Sequence, residues 1–231
     1  VRDDDTGAFR EIARLEIDAA AYDVRRERTG DPAVTVLHDS GRAPTEAVDV
    51  LIVPDGYTAD EADKLLADAE RAAATLLAEA PFDRHADAIT VRLVRAYSRE
   101  SGTDEPRKGV FCDTAVDTTF DTFRSPRYLT THNLKALAEV ASAAPYDTLI
   151  VMVNSARYGG GGIFGTYSIF TADSEYAEYV MIHELGHGFG ALADEYYSSS
   201  TGYDEDQFYK EGAEPWEPNI TAATERDEIK W

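Results

Sequence analysis

One cysteine, two methionines and five lysines in 231 residues narrow the possibilities before any motif is considered. Cys112 has no second cysteine to pair with within these residues, so they hold no intrachain disulfide and no cysteine-rich zinc site. It reads as a buried apolar thiol. Basic residues are also scarce. Twenty-two Lys and Arg face 44 Asp and Glu, a net charge of -22. Nucleic-acid binding needs clustered positive charge against phosphate, and this balance excludes it. The acid-rich, lysine-poor composition fits either simple solubility or a salty medium. No run reaches eighteen apolar residues, so no transmembrane helix is expected. The start, Val1-Arg2-Asp3-Asp4-Asp5, lacks the apolar stretch of a signal peptide, as would a mature secreted chain whose signal had been removed.

Apolar residues make up 43%, enough for a substantial core. Val34–Leu37 is a short strand candidate, and Val48–Val53 has the length and composition of a buried strand. Thr58-Ala-Asp-Glu61 has the form of a capping box, and the Ala/Leu-rich helix behind it runs to about Ala80, before Pro81. Ala88–Tyr97 reads as a second strand. A long irregular segment spans 98–128. Thr130 or Thr131 is expected to open a helix reaching Ala144, and Thr148–Val153 to form a third strand. Gly159–Gly162 is a run of four glycines, Ile163–Phe170 reads as a fourth strand, and Ser174 is placed to cap a last helix. This alternation gives an α/β fold, a mixed sheet with flanking helices.

The last helix carries His183-Glu184-Leu185-Gly186-His187. Histidines at i and i+4 share one helix face, one turn apart, so two imidazole nitrogens can meet one zinc ion. Glu184 projects beside them without being a ligand and can take a proton from a water held by the metal. By composition, H-E-x-x-H arises by chance roughly 0.01 times in such a chain. The apolar flank Tyr179–Ile182 fits a helix buried under a sheet. Catalytic zinc usually has three protein ligands. Gly186, Gly188 and Gly190 weaken the helix past His187, and Gly190 is expected to end it with positive φ. In the pattern H-E-x-x-H-x-x-G-x-x-H/D the third ligand falls at Ala193, which cannot ligate. Asp194 follows as the candidate third ligand, with Glu195 as the alternative.

At this point the sequence resembles a family. His183-Glu-Leu-Gly-His-Gly-Phe-Gly-Ala-Leu-Ala-Asp-Glu-Tyr-Tyr197 is similar to the signature of the bacterial IgA-peptidase family of zinc metallo-endopeptidases. Pro54–Thr58, Ser98–Asp104, Val153–Ile163 and Tyr179-Val180 match in the same order, and the likeness runs from about Val48 to Trp231. It implies a secreted or cell-surface endopeptidase with a zincin-like fold and a central active-site helix. It implies Zn2+ on His183 and His187, base duty for Glu184, and Asp194 rather than Glu195 as third ligand. No substrate is carried over, although the founding activity cleaves the IgA hinge. On this reading residues 1–45 are an N-terminal extension or the remnant of a preceding region, and 46–231 are the catalytic domain. Metzincins place a methionine turn downstream of the ligands. Met152 and Met181 both lie upstream, and Trp231 stands 37 residues after Asp194. Either the chain is cut short or the floor of the site is built differently.

Several further residues are candidates for contact with substrate. Tyr158 and the glycine run, Gly161 and Gly162 in particular, precede the active helix and can border an extended peptide, unless they form a flexible loop. Tyr196 can donate to an oxyanion or simply pack on the helix end. Glu100 and Asp104 could hold a structural cation or sit in an exposed loop, and Asp55 reads as part of an Asp-Gly turn. His38, His85 and His132 read as structural, and Asn219-Ile220-Thr221 fits an N-glycosylation sequon. The functional expectation is hydrolysis of peptide bonds in a protein or peptide substrate by a zinc-held water that Glu184 activates. The alternative is a weakly active zincin-fold protein that binds a protein or glycan.

Overall fold

The computed structural model describes Arg14, residues 32–195 and residues 214–230. The chain divides into two compact units, Arg28–Gly190 and a second formed by Val1–Glu27 with Ala191–Trp231. Most of the N-terminal extension, residues 1–31 apart from Arg14, lies outside the described residues.

The larger unit is built on a six-stranded sheet in the order β1-β3-β2-β6-β8-β7. Its strands are β1 (Val34–His38), β2 (Val48–Asp55), β3 (Ile89–Val94), β6 (Thr148–Val153), β7 (Gly160–Ile163) and β8 (Tyr167–Thr171). The four inner strands, β3, β2, β6 and β8, run parallel, and the edge strands β1 and β7 are antiparallel to their neighbours. Parallel strands covered on both faces need apolar side chains in both directions. Val48–Val53 and Thr148–Val153 supply them, and every residue of β6 is buried. A second, two-stranded sheet pairs β4 (Thr118–Thr119) with β5 (Thr130–Thr131). The α/β expectation therefore holds.

Helices cover the two faces. On one, α1 (Ala62–Ala78) and α3 (Ala177–Gly188) bury Leu65, Ala69, Val180, Met181 and Leu185 against Val50, Ile52 and Met152. On the other, α2 (Leu134–Ala141) packs Leu137 and Ala141 against Leu51, Val53 and Ile169. Glu61 accepts from the backbone N–H (2.9 Å) and hydroxyl (3.0 Å) of Thr58, which holds the turn leading into α1. Among the described residues no helix is long and apolar enough to cross a membrane.

Four local expectations change, the first being that Ser174 does not cap the last helix, which opens at Ala177 after Tyr176 without a side-chain cap. Ile163–Phe170 is not one strand, because Phe164-Gly165-Thr166 forms a hairpin turn between β7 and β8 with Gly165 at φ +67°. Thr130 and Thr131 belong to β5, and it is Asn133 that caps α2, its side-chain oxygen accepting from Ala136 N at 3.0 Å. Beyond α3, Ala191 rather than Gly190 takes the left-handed conformation, at φ +58°.

Candidate metal centre

Helix α3 turns one stripe to the sheet: Ala177, Val180, Met181, Leu185 and Gly188 are buried. That spacing leaves His183, Glu184 and His187 half-buried on the flank facing β7. The Nε2 atoms of His183 and His187 stand 3.2 Å apart, with the rings edge to face at 86°. Two nitrogens bonded at 2.0–2.1 Å to one tetrahedral zinc are separated by about 3.3 Å. The pair is therefore already spaced as two corners of such a site. Tyr179 stacks on His183 at 6.0 Å and helps fix the ring.

The glycine run explains how Glu184 is placed. A Cβ built on Gly160 would lie 2.6 Å from Val180 Cγ1 and 2.7 Å from Glu184 Oε1. One built on Gly162 would lie 2.5 Å from His187 Cβ and 2.7 Å from the Glu184 carbonyl oxygen. Alternate residues of β7 thus give up their side chains so that α3 can lie directly on the strand. The run is an ordered edge strand rather than a flexible loop. Gly161 faces the opposite side, where a Cβ would meet Leu129 O at 2.7 Å. Ser168 on β8 donates to the Glu184 carbonyl at 2.9 Å and ties the helix down from the next strand. Tyr158 is half-exposed and packs edge to face on Tyr176 at the start of α3. Tyr196 lies outside the described residues.

In the smaller unit, 191–195 is held by a contact that sequence reading missed. Asn219 accepts from Ala193 N at 2.8 Å and donates to Ala193 O at 2.9 Å, imitating a strand partner. Its amide also donates to Glu195 Oε1 at 2.9 Å. Both donor hydrogens of the sequon asparagine are thereby engaged. Glu195 is tied to Asn219, and Asp194 stands between the two clamped residues.

The outlying motifs meet in one buried network beside the sheet. Asp55, fully buried, accepts from Thr114 Oγ1 (2.9 Å), Val116 N (2.9 Å), Thr118 N (3.0 Å) and Thr118 Oγ1. Burial pushes its pKa above the usual carboxylate value, although these four bonds pull the other way. Gly56, at φ +73°, lets Gly102 O come within 1.9 Å of where a Cβ would stand. Asn154 donates to Gly56 O (2.9 Å), Glu61 Oε1 (3.0 Å) and Ser101 Oγ (3.1 Å). Burial works to raise the Glu61 pKa, but the bonds from Thr58, Ser101 and Asn154 win and lower it. Pro54–Thr58, Ser98–Asp104 and Asn154 are thus one assembly. Within it, Glu100 and Asp104 accept from the backbone N–H groups of Asp113 and Cys112, each at 2.7 Å. They hold the loop together, which accounts for both carboxylates without a cation.

The sequence model of the IgA Peptidase M64 family matches residues 35–231. The chain belongs to that family. As an IgA Peptidase M64 member it is a peptidase, a hydrolase acting on protein or peptide substrates. No curated protein matches the chain.

Proposed function

We propose that this peptidase is a zinc-dependent endopeptidase of the zincin type, with His183, His187 and Asp194 as ligands and Glu184 as general base. The observation that carries the proposal is the 3.2 Å separation of the two Nε2 atoms beside a carboxylate seated on an edge strand. Elsewhere among the described residues, no three His, Cys, Asp or Glu side chains are grouped to hold a metal. When bound, zinc would supply Lewis-acid polarisation of the scissile carbonyl and acidify a water. Glu184 accepts the proton of the attacking water and delivers it to the leaving amine. The edge of β7 offers backbone groups to an extended peptide by β-augmentation, with Gly162 in reach of Glu184. Tyr158 and Tyr196 are secondary candidates for contact with substrate, whereas Gly161 faces Leu129, away from Glu184.

The test is direct. Purified protein is expected to contain one zinc per chain, and to cleave unfolded casein. A chelator should abolish cleavage and added zinc restore it. A metal-free protein that still cleaves casein would overturn the assignment.

The Asn219 clamp supports Asp194 over Glu195. Asn219→Asp removes both donors to Ala193 O and Glu195 and sets two carboxylates against each other. Zinc affinity, measured by competition with a chromophoric chelator, is expected to fall about 10–100-fold. Affinity unchanged in the folded variant would mean that the third ligand does not depend on this clamp.

A further inference from the structure

Four residues other than glycine adopt positive φ within eight positions: Asp117 (+51°), Asp121 (+63°), Phe123 (+50°) and Arg124 (+61°). Each is unfavourable for an L-residue, and such strain persists only where its surroundings enforce it. Around Asp121–Arg124, Arg157 supplies that enforcement. Its guanidinium donates to Glu105 (2.8 Å), Asp121 (3.0 Å) and Pro126 O, and lies 4.1 Å from the ring centre of buried Phe120. Asp121 also accepts from Arg107 N at 3.0 Å. The loop is therefore pinned on either side of Phe123, a residue that is itself 73% exposed. Packing into the core does not explain a phenylalanine held out at positive φ.

The surroundings of Phe123 give a reason. Its ring meets Tyr128 edge to face at 5.9 Å, and Thr122 Oγ1 donates to Tyr128 O at 3.1 Å. Tyr128 in turn bridges β7: Gly160 N donates to Arg127 O (3.4 Å) and Leu129 N donates to Gly160 O (3.2 Å). The outward edge of β7 is thus already occupied at Gly160. Backbone groups alternate along a strand, so those of Gly162 point to the same side. They meet no backbone partner among the described residues. The open edge of β7 starts where the Phe123–Tyr128 pair ends, and Glu184 lies over both glycines.

We propose that Phe123 and Tyr128 form a specificity subsite that receives a large apolar side chain of the substrate, next to the substrate residue paired with Gly162. The proposal rests on the peptidase reading and adds a selectivity to it. An aromatic lip continuous with the pairing edge fits an apolar side chain, and its position stops further pairing toward Gly160.

The experiment maps cleavage of a defined decapeptide library by mass spectrometry, using wild type, Phe123→Gly and Tyr128→Ala. Wild type is expected to favour a large apolar residue at one fixed position relative to the cut. Both variants should lower kcat/KM for those peptides about 10-fold or more, mainly through KM, and flatten the preference. Phe123→Gly should keep or raise Tm, because glycine accepts φ +50° without strain. A Phe123 with only a structural role would instead lower Tm and leave the preference intact, and an unchanged preference in both variants overturns the subsite. Should wild type with zinc cleave nothing, the peptidase chemistry is what fails, and binding then judges the subsite. Glu184→Ala protein would be panned against a random peptide display library. Selected peptides should share a large apolar residue and lose retention when Phe123→Gly is added. Peptides without that residue, or retained equally by the double variant, overturn it.

Discussion

Exchanging Glu184 for glutamine is expected to lower kcat about 10²–10⁴-fold while zinc content and Tm stay at wild-type values. Glutamine has the size and shape of glutamate, so it still fits over Gly160 and Gly162, where no room is left for a larger group. The backbone carbonyl that accepts from Ser168 is untouched. What is lost is the capacity to accept a proton, since an amide oxygen is far less basic than a carboxylate. A group that acts only as base should therefore change rate without changing metal occupancy. The readouts are turnover of a fluorogenic peptide and metal content by elemental analysis. Loss of zinc along with rate would make Glu184 a ligand, and an unchanged rate would move the base elsewhere.

The part of this site that the sequence displayed is the part confined to one helix. His183, Glu184 and His187 lie within five residues, and 3.6 residues per turn fixes their relation once the helix exists. The inner strands were legible for a similar reason: Val48–Val53 and Thr148–Val153 are apolar on both faces, which a parallel inner strand requires. β7 was not. A strand of three glycines and an isoleucine runs against strand propensity, and it exists because α3 needs its bare backbone. The hairpin at Phe164-Gly165-Thr166 was hidden by the apolar residues on either side, which mimic one longer strand. Arg157 reaches back 52 residues to Glu105, and Asn219 reaches back 26 to Ala193. Pairings at that separation leave no periodicity to detect. Phe123 carried no signal either, since only its backbone angle and exposure set it apart from a core residue.

Gly162→Ala and Gly161→Ala, one residue apart, should fail in different ways. At Gly162 the new methyl would stand 2.5 Å from His187 Cβ and 2.7 Å from Glu184 O, both on α3. Neither is the free end of a flexible side chain, so relief requires the helix to lift from the strand. Overpacking of this kind costs about 1–3 kcal/mol, and roughly 2–4 °C of Tm per kcal/mol in a chain of this size. Because the displaced segment carries His187 and Glu184, zinc affinity and kcat should fall together, about 10-fold or more for a misplacement near 1 Å. At Gly161 the methyl points the other way, toward Leu129 O at 2.7 Å and Ile169 Cγ2 at 3.4 Å. That change should lower Tm by a similar amount while zinc affinity stays near wild type. Chelator competition and thermal melting on the two variants separate the cases. Equal loss of zinc affinity in both would mean that the glycines act through general stability, and the close seating of α3 on β7 would no longer explain how the histidines are held.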